Sequence, residues 1–117
     1  MYKFTTKIET SSYKEYLQEV EKKIKSNEGF YEGVFVSYMV QDTATAKDII
    51  KKTTDGNLRD ILSKFVLHCG SMAVDCGGRL GKLVAIELTH EDYYYVLSDK
   101  NGRWCESCVG KLKYIDE

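Results

Sequence analysis

Four cysteines and two histidines are the residues of this 117-residue chain with the widest chemical reach. Cys105 and Cys108 stand three apart in Trp104-Cys105-Glu106-Ser107-Cys108, a spacing that suits a reversible dithiol or one half of a zinc knuckle. Cys69 and Cys76, with His68 beside them, would have to supply the other half. If residues 58–76 are helical, Cys69 and Cys76 lie about 10.5 Å apart along the axis, too far for two sulfurs each about 2.3 Å from one ion. Zinc therefore requires the helix to break at Gly70. Otherwise Cys69, Cys76, Cys105 and Cys108 are free thiols in a reducing compartment. A Cys105–Cys108 disulfide likewise requires a turn, because residues three apart on a strand point to opposite faces.

The WCxxC string resembles that of thioredoxin-type oxidoreductases. The resemblance implies a first cysteine at a helix N-terminus, where the dipole favours thiolate, and a cis-proline beside the pair. This sequence has no proline, and the pair falls among strands. His68 lies beside an apolar stripe and His90 precedes Glu91-Asp92 in a turn, so neither completes a nucleophile–base signature. No spacing rule brings Asp75 to Glu87 as acid and base. Gly77-Gly78-Arg79-Leu80-Gly81-Lys82 departs from a phosphate loop at Cys76, where glycine is needed, and at Leu83, where a hydroxyl is needed. Arg79 and Lys82 with exposed turn amides leave only an anion contact there. No catalytic residue, cofactor or metal is assigned.

The elements that position these residues follow from periodicity. Tyr2 to Glu9 alternates as a strand with one buried face. Ser12 and Glu15 have capping-box spacing and start a helix with Tyr13, Leu17, Val20 and Ile24 inward, pairs Glu19–Lys23 and Glu21–Lys25 outward, and a stop near Asn27–Gly29. Gly33 to Gln41 reads as a buried strand. Thr45 and Asp48 would cap a short helix through Ile49 and Ile50. Asn57 caps a central helix whose stripe of Leu58, Ile61, Leu62, Phe65, Val66 and Cys69 continues through Met72, Ala73 and Cys76 to a glycine stop at Gly77–Gly78. Lys82–Thr89 and Tyr93–Ser98 are strands, Asp99–Gly102 is a tight turn, and one or two short strands follow to Ile115.

This order predicts an α+β fold, a largely antiparallel sheet with two or three helices on one face, as a single domain over residues 1–117. The segment IELTHEDYYYVLSDKNGRWCESCVGKLKYID resembles the short curved strands of SH3-like small barrels, which implies a small barrel for the C-terminal strands.

Composition bounds the function. Hydrophobic residues at 43% and charged residues at 30% make a foldable core with a solvated surface. The formal net charge is −1, spread evenly: six basic and six acidic groups in 1–40, five and five in 41–78, six and seven in 79–117. No segment is a basic arm or an acidic tail. No run approaches the ~20 apolar residues that cross a bilayer, so a soluble, cytoplasmic chain is expected, with no membrane partner.

Tyr93, Tyr94 and Tyr95 with Trp104 put large amphipathic rings on a C-terminal hairpin. Arg103, Lys111 and Lys113 lie nearby, interleaved with Glu91, Asp92, Asp99 and Glu106, a mixture that favours a protein partner over a phosphate backbone. The expected function is that of a small non-enzymatic binding protein docking a macromolecule through Tyr93, Tyr95, Trp104, Arg103, Lys111 and Lys113. The alternative is a nucleic-acid-binding domain with Arg103, Lys111 and Lys113 on phosphates and tyrosines stacking on bases; a cysteine-dependent enzyme ranks below both. In size and general character the chain resembles compact accessory or inhibitor proteins of phages and mobile elements, such as anti-CRISPR-type modulators, which implies steric or allosteric action. Exposed sheet edges leave a homodimer open.

Overall fold

The computed structural model describes residues 6–25, 34–90, 92–106 and 112–115. Three helices and a mixed, mostly antiparallel sheet of seven strands give an α+β fold. The chain divides into two compact units: residues up to Met39 with Leu88–Asp92, and Val40–Glu87 with the strands from Tyr93 onward.

In the first unit, β1 (Thr6–Thr10) lies parallel to β2 (Val34–Val40), with Thr6 opposite Val34 and Thr10 opposite Tyr38. Residues 2–5 of the expected first strand lie outside the described residues. A parallel pair needs a crossover, and α1 (Tyr13–Lys25) lies in it. Ser12 Oγ accepts the Glu15 N–H at 3.1 Å, as a capping box requires. The Glu15 carboxylate reaches one residue further back than expected, accepting from the Ser11 N–H at 2.9 Å and the Ser11 hydroxyl at 2.7 Å. The Ser11 N–H is the main reason its carboxyl sits below the usual range.

Among the described side chains of α1 Tyr16 is the buried one and stacks with Tyr13, while Leu17, expected inward, is 47% exposed. The stripe keeps Tyr13 and Val20 and takes Tyr16 in place of Leu17, and the side chain of Ile24 lies outside the described residues. Burial pushes the Tyr16 hydroxyl up to about 12. Glu19 pairs with Lys22 at 3.3 Å; the side chains of Lys23 and Lys25, the expected partners of Glu19 and Glu21, lie outside the described residues, as does the expected stop at Asn27–Gly29. His90 engages both backbone groups of Val36: its N–H donates to the Val36 carbonyl at 3.2 Å, and its Nδ1 accepts the Val36 N–H at 3.1 Å.

In the second unit, α2 (Thr43–Lys52) starts earlier than the threonine spacing suggests. Asp42 caps it by accepting the Thr45 N–H at 2.6 Å, which leaves Thr45 inside the first turn. The cap of α3 (Gly56–His68) is Asp55, two residues before the expected Asn57; it accepts from Asn57 and Leu58. Leu58, Ile61, Leu62 and Phe65 are buried in α3, and Ala46 and Ile49 in α2.

The expected continuation of α3 to Cys76 does not occur. Gly70 takes φ +89°, open to glycine and strained for other residues, and its N–H donates to the Leu83 carbonyl. Met72–Val74 is a strand, β3, antiparallel to β4 (Leu80–Thr89). Gly78, at φ +83°, turns that hairpin and is no helix stop.

β5 (Tyr93–Asp99) pairs with β4 and with β6 (Gly102–Glu106), and β7 (Lys113–Tyr114) pairs antiparallel with β3. The order in this unit is β7-β3-β4-β5-β6. Among the described residues β6 pairs only with β5 and β7 only with β3, so those residues close no barrel.

Helix α3 covers one side of this sheet. The fully buried Tyr95 donates its hydroxyl to the Ile61 carbonyl at 3.0 Å, Tyr93 donates to Asp55 Oδ2 at 3.0 Å, and the His68 and Tyr114 rings stack at 3.7 Å. Replacing Tyr95→Phe removes one buried hydrogen bond without changing the ring, so stability should fall by about 1 kcal/mol. Urea unfolding followed by tryptophan fluorescence should show a lower midpoint with an unchanged slope.

Candidate functional site

Strand alternation divides the second unit's sheet into two chemistries. Leu97 lies opposite Trp104, and Tyr95 opposite Glu106, so Tyr93, Tyr95, Leu97 and Trp104 share the side covered by α3. Val96 lies opposite Cys105, and Ser98 opposite Arg103, on the other side. Gly81 belongs to the helix side: a Cβ there would collide with the Trp104 ring and come within 3.2 Å of the Ser98 carbonyl. Its partner Ala73, and Ala73's partner Tyr114, therefore face that way too. The pairs Met72–Lys82 and Val74–Leu80, and Lys113 opposite Val74, turn to the open side.

On the helix side the single tryptophan is held from three directions. Its Nε1–H donates to Asp75 Oδ2 at 2.9 Å, the Arg79 guanidinium lies 3.8 Å over its ring, and Gly81 gives it room to lie flat. Asp75 Oδ1 accepts the Gly77 N–H at 2.9 Å and the Arg79 N–H at 2.8 Å. The Arg79 N–H holds the Asp75 carboxyl below the usual carboxylate range, with the Trp104 and Gly77 donors adding to it. Arg79 also approaches Asp99 at 3.8 Å. The amides that suggested an anion contact are thus occupied by the chain's own carboxylate.

The contiguous exposed patch of Tyr93, Tyr95 and Trp104 is not formed. Tyr95 is fully buried, because its side of β5 is the one α3 covers, and burial raises its hydroxyl pKa. Tyr93 and Trp104 are half-buried and committed to Asp55 and Asp75. Arg103 and Lys113 are exposed on the open side; Lys111 lies outside the described residues. Leu80 and Lys82 are exposed beside them; sequence reasoning misses Leu80 as a site residue and reads Lys82 only as an anion contact of the glycine turn. The signal for them was alternation from Met72 to Lys82, obscured by assigning Met72–Cys76 to a helix.

The remaining chemical candidates are separated. Asp75 bonds Trp104 and Glu87 lies 3.9 Å from the Cys105 sulfur; Trp104 and Cys105 point to opposite sides of β6, so the two carboxylates are not an acid–base pair. Trp104 and Cys105 sit in a strand, away from any helix N-terminus, and Cys108 lies outside the described residues. The break at Gly70 removes the helical objection to zinc, yet among the described residues no group of three His, Cys, Asp or Glu side chains could hold a metal. Cys69 and Cys76 are free thiols. Burial, with Asp42 second, pushes the Cys69 thiol up and makes it a poor thiolate. Comparison with known proteins finds no matching family model, curated protein or solved structure.

Because the folded-state carboxyl of Asp75 titrates below its ordinary value of 3.8, its bonds are intact above that value and are lost as pH falls through the lower folded one. Trp104 fluorescence should stay constant down to the ordinary aspartate range and change only at more acidic pH. Asp75→Asn should abolish that acid transition.

Proposed function

We propose that this chain is a non-catalytic binding protein that acts by protein–protein contact through the exposed part of the sheet side opposite α3, which carries Leu80, Lys82, Arg103 and Lys113. The observation that carries the reading is Leu80, 47% exposed, set among the exposed cations Lys82, Arg103 and Lys113 on rigid paired strands. A fixed apolar residue ringed by charge is the anatomy of a docking site, since ordering costs little when the backbone is already paired. The reading keeps the expected class of function and moves its surface from the tyrosine side of the hairpin to the reverse side.

The groups that would serve catalysis have structural partners instead: Asp75 binds backbone amides and the indole, and His68 stacks on Tyr114. Exposed Cys69, Cys76 and Cys105 suit a reducing cytoplasm. Action would be steric or allosteric, as for an inhibitor or modulator of the phage and mobile-element accessory kind. The nucleic-acid reading is weaker, because Trp104, Tyr93 and Tyr95 face away from Arg103 and Lys113, leaving the half-buried Tyr94 as the one ring of the cluster on their side.

A photo-crosslinking residue at Lys82, in lysate of the source or its host, should give discrete protein adducts that the same residue at Lys47 on α2 does not. Adducts with nucleic acid alone, or equal labelling at both positions, would remove the reading.

A further inference from the structure

The open side is sorted by charge as well as by exposure. The chain is nearly neutral, yet among the described residues of β3 to β7 that side holds three exposed cations, Lys82, Arg103 and Lys113, and no exposed carboxylate. Asp75 and Asp99 are committed on the helix side, where Asp75 binds Trp104, Gly77 and Arg79 and Asp99 accepts the Asn101 N–H at 2.7 Å and faces Arg79; Glu87 is on the side of Cys105 but is buried there. Whatever covers Lys82, Arg103 and Lys113 must bring negative charge to compensate their desolvation.

The spacing narrows the partner further. Lys113 is on β7, Lys82 two strands away on β4, and Arg103 two more strands away on β6. At about 4.8 Å between strands, the cations lie roughly 10 Å apart across the sheet. Val74 lies level with Lys113 and Leu80, and Met72 level with Lys82, so the half-buried Met72 and Val74 fill the interval between Lys82 and Lys113 while Leu80 flanks Lys82 on its own strand. In an extended peptide, residues three apart span about 10 Å but point to opposite faces. In a helix, residues seven apart span about 10.5 Å on one face, with residues three and four along between them.

We propose that the docked segment is an amphipathic helix of a protein partner, lying across the strands, with acidic residues seven apart facing the Lys113-Lys82-Arg103 row and an apolar residue between them packed on Met72, Val74 and the flanking Leu80. This rests on the docking reading above and adds the partner's chemistry to it.

The test is selection from a display library of helical peptides randomised along one face. Binders of the unmodified protein should carry Asp or Glu at a spacing of seven with an apolar residue three or four along. Binding of a selected peptide should weaken about tenfold in Leu80→Ala and again in Lys82→Glu, a change of about 1.4 kcal/mol each. The triple variant Lys82→Glu, Arg103→Glu, Lys113→Glu should select basic helices. Unchanged Trp104 fluorescence certifies that the variants fold.

Neutral or basic binders of the unmodified protein, an empty selection, or identical binders for the triple variant would overturn the proposal. So would tight binding of a single-stranded oligonucleotide that the triple variant loses. If Lys82 cross-links a protein while the library yields no acidic helices, the partner chemistry fails and the docking reading stands.

Discussion

The Tyr95 hydroxyl on the Ile61 carbonyl decides which side of the C-terminal hairpin is inside. A tyrosine with no exposed surface must satisfy its polar end, and a helix carbonyl within 3.0 Å does so while the ring fills the space under α3. Once that residue is fixed, the two-residue period of a strand places every other side chain of β5 and, through pairing, of β6. Trp104 then falls on the helix side and Arg103 and Cys105 on the reverse. A slip of one residue in β5 would put Val96 under α3 and Tyr95 on the outer side, so one buried bond selects between two opposite surfaces.

The same constraint separates the acids from the cations. Asp75 and Asp99 are near Trp104 and Arg79, where indole, guanidinium and turn amides absorb their charge. Lys82, Arg103 and Lys113 project from the opposite side without such company among the described residues. Charge that looks interleaved along the chain is segregated in space, because neighbours in a strand are on opposite faces of the sheet. The evenness of charge along the sequence is therefore compatible with a surface of one sign.

Much of the fold was legible in the residues themselves. The Val34–Val40 strand, the tight turn before Gly102 and the stripe of α3 declare themselves by periodicity and turn chemistry. The misreadings have local causes. Asp42 and Asp55 outcompeted Thr45 and Asn57 as caps, because a carboxylate accepts amides strongly and helix length near a cap is decided by a residue or two. Met72, Ala73 and Cys76 happen to extend a helical stripe, and only the positive φ of Gly70, which reflects tertiary pairing with Leu83, reveals the break. The aromatic cluster stands out in the sequence, but alternation says which residues share a face and not which face a helix will cover.

Val36 has one residue, His90, meeting both its donor and its acceptor. An imidazole nitrogen there stands in for the carbonyl that a neighbouring strand would have supplied, so ladder bonding continues past the end of β4. The substitution works only while that nitrogen carries its lone pair. Position 90 thus tolerates a side chain able to imitate peptide oxygen, and an aliphatic residue there would strand an amide at the seam of the first unit.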